Sequence, residues 1–165
     1  MLSIKQLIPS EFCLKCDGCC RFISDDSPWF PRLLKEEEDA IPKDKFRPVF
    51  NKKDRNFLCP YLNISNNNCK VYKTRPFECR LYPFLINHDE ISGKIFLSID
   101  LNCPFARENS KNKEFEKYAE SLAASLKRGD FLMILKDNAG LIQSYPGVLN
   151  IIELPHDIKK VIHKG

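Results

Sequence analysis

Four of the eight cysteines in this 165-residue chain lie within eight residues, in the stretch CLKCDGCC at 13–20. A spacer of two residues lets two cysteine sulfurs converge on one metal ion while the amides of the turn point towards them. Two successive C-x-x-C steps let three sulfurs surround a single centre. Gly18 supplies the permissive backbone that such a tight turn needs. The pattern therefore predicts that Cys13, Cys16 and Cys19 bind a metal.

Cys20 directly follows Cys19 and needs a separate explanation. Neighbouring side chains diverge, by about half a turn in a strand and by roughly 100° in a helix. Two adjacent thiolates therefore suit two centres, or one centre and one role without a metal, better than a single centre. We expect Cys20 to serve a centre next to the first one.

The other cysteines are Cys59, Cys69, Cys79 and Cys103, with no C-x-x-C step among them. They must be gathered by the fold, and Cys59 and Cys103 each precede a proline, which restricts the backbone. Eight thiols divide into two sets of four, which fits two tetrathiolate sites or an iron–sulfur cluster with a zinc site. They also fit one site with four spare thiols, and the spacing leaves these alternatives open.

Positive charge surrounds the later cysteines. One acid, Glu78, stands against five bases between residues 55 and 84, namely Arg55, Lys70, Lys73, Arg75 and Arg80. Nearby cations lower the pKa of thiols and offset the negative charge of a metal held by four thiolates. This balance favours metal binding without separating zinc from iron–sulfur. The alternative is a basic surface patch that has no bearing on the thiols.

The cellular compartment decides whether the thiols stay reduced. The start of the sequence, MLSIKQLIPSEFC, has no apolar segment of signal-peptide length, and no run approaches the roughly 20 apolar residues of a membrane span. We therefore expect a cytoplasmic protein, where clustered cysteines indicate metal binding or catalysis. The vicinal pair argues further against the alternative of disulfides. A net charge of +4 without a long basic tract predicts no nucleic-acid partner.

Other chemistry has little support in the sequence. The histidines, His88, His156 and His163, lie outside the cysteine clusters, and we expect surface or packing roles for them. No phosphate-binding glycine loop, H-E-x-x-H motif or serine nucleophile elbow occurs. No catalytic residue is predicted. The tyrosines near the cysteines are expected to form a hydrophobic wall that limits the access of water, and they are Tyr61, Tyr72 and Tyr82.

Two predicted β-hairpins must position the later cysteines. Residues 57–63 form the first strand, the asparagine-rich turn 64–68 follows, and the chain returns over 69–72. Alternating apolar and polar residues, with a turn at Ser92–Gly93, predict a second hairpin over 84–101.

Helices are predicted before and after the hairpins. A short helix from Pro31 to Ala40 would present the acidic run Glu36–Asp39 to solvent. Apolar residues at helical spacing predict a longer helix with Ser110 as its N-cap and Gly129 at its end. The remaining predicted elements are a helix over 130–139, a strand over 148–154 and a terminal helix over 156–164.

These elements predict an α+β fold in a single domain, 1–165. A small, irregular, cysteine-rich metal-binding core with the two β-hairpins would occupy 1–104. A helical C-terminal extension, 105–165, would cover it.

The stretch CLKCDGCC, the block CPYLNISNNNCKVYKTRPFECRLYPF at 59–84 and the dipeptide NC at 102–103 closely resemble the CxxCxxCC family of YkgJ-like cysteine-cluster proteins. The resemblance covers roughly residues 12–104 and implies a domain that chelates zinc or iron. It makes all eight cysteines ligand candidates. It also implies a framing role for Arg75, Pro76, Arg80, Tyr82 and Pro83. Among these, Arg75, Arg80 and Tyr82 are the predicted cofactor-binding residues, and the two arginines would donate hydrogen bonds to ligand sulfurs.

Flagellin lysine methylases carry a similar cysteine pattern with an iron–sulfur cluster. They are much longer than this chain, so the resemblance does not imply methylase activity here.

Two functional hypotheses follow. The first is an iron–sulfur protein, with [4Fe–4S] as the expected cluster and a second four-cysteine site, in a redox or protein-modification role with a protein or redox partner. The second is a structural zinc module that acts as an adaptor without catalysis. The C-x-x-C-x-x-C run favours the first hypothesis, because zinc sites more often use paired C-x-x-C knuckles.

Overall fold

The computed structural model describes residues 4, 6–16, 18–42 and 44–155. The chain divides into two compact units. The N-terminal unit is Ile8–Arg80, and the C-terminal unit comprises Leu81–Gly165 together with Met1–Leu7. Each unit contains a three-stranded antiparallel sheet and helices, so the predicted α+β class is confirmed. The grouping of 1–165 into one domain stays a prediction.

The sheet of the N-terminal unit has the strand order β1-β3-β2. Its strands are β1 Arg21–Phe22, β2 Val49–Asn51 and β3 Asn56–Leu58. The turn between β2 and β3 is stabilised locally, because the Asn51 side chain donates to Asp54 at 2.9 Å and accepts from the Lys53 amide at 3.2 Å. Both edge strands are antiparallel to β3, which therefore positions the residues at its two ends.

The first predicted hairpin is present as a narrow loop with one bridge. Leu62 and Cys69 form an isolated antiparallel bridge, while β3 ends at Leu58 and pairs with β1 and β2 instead. The last residue of the predicted return strand, Tyr72, begins a short 3-10 turn, Tyr72–Thr74. The strand predicted at 57–63 forms only in part, and its partners are β2, which precedes it closely in the chain, and the distant β1, rather than the residues that follow it.

Three short helices complete the N-terminal unit. They are α1 Ser10–Cys13, α2 Lys35–Glu38 and α3 Phe77–Leu81, whose last residue begins the C-terminal unit. An apolar cluster around Phe22 and Leu58 supports the sheet, with Phe30 edge-on to Phe22 at a ring separation of 5.3 Å. The predicted helix 31–40 is reduced to α2, and the expectation that its whole acidic run faces solvent is wrong for Glu37, which is buried.

The sheet of the C-terminal unit has the order β4-β5-β6. Its strands are β4 Phe84–Asp89, β5 Lys94–Ile99 and β6 Leu149–Glu153, which confirms the second hairpin and the last predicted strand. Gly93 adopts a φ of 62°, a left-handed conformation that glycine tolerates without strain.

The described part of the C-terminal unit also contains the helices α4 Pro104–Asn109, α5 Lys113–Leu126 and α6 Gly129–Asp137. The predicted apolar face of α5 is buried, and the Phe115 ring packs against Phe84 at 5.1 Å. The predicted cap is wrong, because Ser110 ends α4 and Asn112 caps α5 by accepting from the Glu114 amide at 2.9 Å. The helix α4, which precedes α5, was not indicated by the spacing of apolar residues.

The predicted terminal helix, 156–164, lies outside the described residues. Among the residues that the structure describes, no helix combines the length and apolarity that a bilayer crossing requires. The predicted covering of the cysteine-rich region by the C-terminal helices stays a prediction.

Candidate metal centre

All eight cysteines lie among the described residues, and all are free thiols. Seven of them fall within the N-terminal unit. Cys103 belongs to the C-terminal unit, where it is buried and immediately precedes α4. The fold therefore brings most of the predicted ligands into a unit of modest size.

Backbone pairing brings Cys20 and Cys59 together. Arg21 on β1 lies opposite Leu58 on β3, and the Cys59 amide donates to the Cys20 carbonyl at 2.9 Å just beyond that pair. The two thiols are hydrogen-bonded to each other. The Cys20 thiol thus contacts a later cysteine, Cys59, as well as its chain neighbour Cys19, and the prediction that Cys20 serves a second centre stays a prediction.

A compact loop, residues 63–68, brings Cys69 close to Cys59. The Asn63 amide donates to Asn68 O at 2.9 Å, and the Lys70 amide donates to Tyr61 O at 2.9 Å. Asn67 adopts a left-handed φ of 57° within this loop, and its side chain accepts from Arg21 Nη2 at 2.7 Å. Asparagine is one of the few residues that tolerate this conformation, which explains the asparagine-rich sequence. The loop sets Cys69 close enough to Cys59 for the two to interact electrostatically.

The helix α3 supplies the fourth thiol. Cys79 lies in the middle of α3, and it interacts electrostatically with Cys59, Cys20 and Cys69. Four thiols from separate segments are thus neighbours in the N-terminal unit. We call this set the thiol cluster, and its members are Cys20, Cys59, Cys69 and Cys79.

The environment of the thiol cluster raises the pKa of every member. For Cys20 the hydrogen bond with the Cys19 thiol is the largest cause, and for Cys59 it is the hydrogen bond with Cys20. Burial is the largest cause that raises the pKa of Cys69 and Cys79. Packed, desolvated thiols resist ionisation unless a cation compensates the thiolates. This is the environment in which a bound metal would decide the protonation state.

The geometry is not that of a closed site. In the described ranges, no group of three or more His, Cys, Asp or Glu side chains is placed so that it could hold a metal ion. Sulfur donors nevertheless match the soft or borderline metals that thiolates select, zinc and iron–sulfur iron among them. A second observation fits a bound group with sulfur acceptors, because Arg80 Nε is buried and has no hydrogen-bond partner among the described residues.

The structure gives different surroundings to the three predicted cofactor-binding residues. The guanidinium of Arg75 lies 3.9 Å from the centre of the Tyr72 ring, and its charge lowers the pKa of Cys69 against the larger effect of burial. Arg80 Nη2 lies 3.5 Å from Glu37 Oε1. Tyr82 belongs to the C-terminal unit, where its hydroxyl donates to Asp100 Oδ2 at 2.8 Å. Their roles towards a cofactor stay predictions.

The tyrosines that were expected to form a hydrophobic wall lie in different surroundings. Tyr61 packs against the apolar cluster that contains Cys59, and its ring stacks on Phe46 at 5.9 Å. This placement agrees with the expected hydrophobic wall beside Cys59. Tyr72 instead supports the guanidinium of Arg75.

The C-x-x-C-x-x-C run occupies α1 and the turn after it. Cys13 ends α1, and the Cys16 amide donates to its carbonyl at 3.2 Å. Cys19 is exposed, and its thiol is hydrogen-bonded to Cys20. A Cβ at Gly18 would meet Cys16 Sγ at 3.6 Å, which is ordinary contact, so glycine is not required there for space. Among the described residues, neither Cys13, Cys16 and Cys19 nor the thiol cluster has the placement of a formed metal site, and the predicted three-sulfur centre stays a prediction.

Glu37 is a residue of this region that sequence reasoning missed. Its carboxylate accepts from the Leu34 amide at 3.0 Å and from the Phe77 amide at 2.7 Å. The contact with Leu34 is the local half of a capping box, which a glutamate at the third position of a helix can signal. The contact with Phe77 spans 40 residues and has no local signal.

Comparison with known proteins identifies a family for this sequence. The family model CxxCxxCC, described as "Putative zinc- or iron-chelating domain", matches residues 12–121, which include all eight cysteines. The chain is also 30% identical over 122 residues to "Uncharacterized protein MJ0661" of Methanocaldococcus jannaschii, an alignment that covers 66% of this chain and 65% of that protein. No solved structure matches. The chain therefore belongs to the CxxCxxCC family.

Proposed function

We propose that this protein binds a metal centre through the thiolates of Cys20, Cys59, Cys69 and Cys79. The observation that carries the proposal is the interaction of these four thiols, which lie directly before β1, directly after β3, directly after the loop 63–68 and within α3. The matching family model, with its zinc- or iron-chelating description, supports the same chemistry.

A role as inert buried thiols explains the arrangement less well. A purely apolar role would be served by small hydrophobic side chains, and it would not require four sulfurs as neighbours. Their pKa values are raised, so in the absence of a cation the cluster stays protonated. A bound cation would displace these protons and stabilise the N-terminal unit, because metal binding is coupled to both protonation and folding.

The bound group that we propose is an iron–sulfur cluster, [4Fe–4S] in the first instance. Such a cluster would supply a one-electron redox couple to the protein. Around it, Arg75 would offset the negative charge near Cys69, and the buried Nε of Arg80 would donate to a ligand sulfur. Tyr61 and the apolar cluster beside Cys59 would limit the access of water. We further propose a redox or protein-modification role in the cytoplasm with a protein partner.

A structural zinc site is the second candidate, and one observation favours it. The thiol cluster takes only Cys20 from the first motif, and of the C-x-x-C-x-x-C sulfurs, which were the reason to prefer iron–sulfur, Cys19 alone is hydrogen-bonded to it. Four thiolates from separate segments also form tetrahedral zinc sites that hold small folds together. In that case the protein would serve as an adaptor without catalysis.

Purification without oxygen distinguishes these candidates. Iron, acid-labile sulfide and zinc are measured per chain, together with the visible spectrum. A brown protein with a broad band near about 400 nm and matching iron and sulfide supports the cluster. A colourless protein with stoichiometric zinc supports the structural site. A folded protein that contains no metal, and takes up none, contradicts both.

Two serine variants identify the ligands. Cys59→Ser is expected to lose the metal of the thiol cluster, and Cys16→Ser, the matched control, is expected to retain it. If Cys59→Ser retained the metal and Cys16→Ser lost it, the metal centre would instead lie at the C-x-x-C-x-x-C run.

A further inference from the structure

We propose that Glu37 and Glu78 are positioning residues of the metal centre, because their carboxylates hold α3 and with it the ligand Cys79. This inference rests on the proposed function. It adds to the sulfur ligands the groups that determine where one of them lies. Neither carboxylate is proposed to touch the metal.

Glu37 is the buried member of an acidic run. It is 8% exposed, while its neighbour Glu36 is exposed and Glu38 is half-buried. Burial is the largest cause that raises the pKa of Glu37, against hydrogen bonds and a cation that lower it. Burying a carboxylate costs free energy unless its oxygens are hydrogen-bonded or paired with a cation. A buried glutamate in this place therefore indicates specific contacts.

Those contacts connect α2 with the start of α3. Glu37 Oε1 accepts from the Phe77 amide at 2.7 Å, and Oε2 accepts from the Leu34 amide at 3.0 Å. Arg80 Nη2 lies 3.5 Å from the same Oε1. The first amides of a helix have no acceptor within the helix. Since α3 begins at Phe77, Glu37 supplies that missing acceptor from 40 residues away.

Glu78 forms the reciprocal contact. Its Oε2 accepts a hydrogen bond from the backbone amide of Arg32, which lies in the segment before α2. Two carboxylate–amide bonds thus run in opposite directions between the segment 32–37 and the first two residues of α3. Hydrogen bonds with an ionised partner are stronger than neutral ones, so the pair is a firm attachment.

The attachment matters because α3 is short. It has five residues, fewer than an isolated helix needs to be stable in water. Cys79 follows Glu78 directly, so its position depends on the contacts that hold the first turn. Releasing them would leave three thiols in place and move the fourth. Groups that orient metal ligands in this way typically change affinity by about 10- to 100-fold when they are mutated.

The test uses Glu37→Gln and Glu78→Gln in the full chain. Glutamine keeps the size of the side chain but replaces one acceptor oxygen by a donor. Zinc affinity is measured by competition with a chromophoric chelator, and cobalt(II) reports the number of thiolate ligands through its sulfur-to-metal absorption. Both variants are expected to bind zinc about 10- to 100-fold more weakly and to show reduced cobalt–thiolate absorption. Glu36→Gln removes an exposed carboxylate next to Glu37 and is expected to match the wild type.

A double-mutant cycle with Cys79→Ser separates positioning from a general loss of stability. If the carboxylates act through Cys79, their substitution in the Cys79→Ser background changes affinity by about 2-fold at most. Fully additive losses overturn the proposal, as do unchanged single variants. If Glu37→Gln does not fold, the Glu78→Gln arm of the cycle decides by the same criteria. A wild-type protein that binds neither ion contradicts the proposed function and this inference together, whereas wild-type binding with unaltered variants contradicts the positioning role alone.

Discussion

The amide of Cys59 donates a hydrogen bond to the carbonyl oxygen of Cys20 at 2.9 Å. This bond extends the pairing of Arg21 with Leu58 and sets side by side two cysteines that are far apart in the chain. Their thiols are hydrogen-bonded as well. Strand pairing, rather than the C-x-x-C spacing, therefore begins the thiol cluster.

Removing the metal is expected to weaken this pairing. A ligand present at about 100 times its dissociation constant stabilises the bound state by about 2.7 kcal/mol, which slows exchange from the unfolded state about 100-fold. Hydrogen exchange at the Cys59 amide should accelerate by that order after treatment with a chelator. Amides within β5, in the other unit, serve as the reference. Unchanged exchange at Cys59 would contradict the coupling of metal binding to this sheet.

The loop that carries Cys69 should be sensitive at Asn67. Its φ of 57° costs about 1–2 kcal/mol for most residues with a Cβ but less for asparagine and glycine, and its side chain accepts from Arg21 Nη2 at 2.7 Å. Asn67→Gly loses only the hydrogen bond, while Asn67→Ala also introduces backbone strain. We expect the order wild type, glycine, alanine in both urea-denaturation stability and zinc affinity. An alanine variant as stable as the glycine variant would show that the left-handed conformation does not constrain this loop.

Truncation of Asn87, which lies in a polar network of the C-terminal unit, should lower the stability of the protein. Asn87 on β4 donates to Asn150 on β6 at 3.0 Å and accepts from the Tyr145 amide at 2.9 Å, while Ser98 on β5 donates to the same Asn150 oxygen at 2.7 Å. Asn87→Ala removes the acceptor of the buried Tyr145 amide and is expected to cost about 1–3 kcal/mol in the free energy of unfolding. The exposed neighbour Glu90 is the control, and Glu90→Ala should change stability by less than about 0.5 kcal/mol. Equal effects of the two substitutions would argue against the network.

Tyr118 gives a test of alkaline stability. Burial raises the pKa of its hydroxyl from 10.0 to about 12. The folded state then holds the Tyr118 proton more tightly than the unfolded state does. The contribution of the protonated hydroxyl to the free energy of unfolding is therefore complete below about pH 10 and is lost as the pH rises towards 12. The free energy of unfolding of wild type relative to Tyr118→Phe should therefore decrease over this interval. A constant difference between the two proteins from pH 9 to pH 12 would mean that Tyr118 is not desolvated.

Local patterns predicted several elements well. The alternation of apolar residues around the turn at Ser92–Gly93 predicted the β4–β5 hairpin, and the structure confirms it. Helical spacing between Phe115 and Leu126 predicted the buried face of α5. In both cases the signal and the structure lie within about 20 residues, so the pattern is sufficient. The cap of α5 was missed because Ser110 and Asn112 are both good caps, and the choice between them depends on where α4 ends.

The cysteine types and the family pattern were readable from the sequence, and they indicated metal binding and its residue candidates. The sequence did not show which of those cysteines come close to one another in the fold. The C-x-x-C-x-x-C run predicts a shared centre, which stays a prediction, whereas the thiols that interact across distant segments are Cys20, Cys59, Cys69 and Cys79. A spacing rule states which sulfurs are able to converge locally, and it contains no information about strand pairing.

By itself, then, the sequence determined the α+β class, the second hairpin, the main helix and the presence of a thiol-rich metal-binding family domain. Only the tertiary structure decided that Cys20 meets Cys59, that Cys69 returns to them, and that the carboxylate of Glu37 holds the amide of Phe77. The physical reason is the range of the interactions. Periodicity and turn chemistry act between near neighbours in the chain, whereas these contacts join segments that only folding brings together.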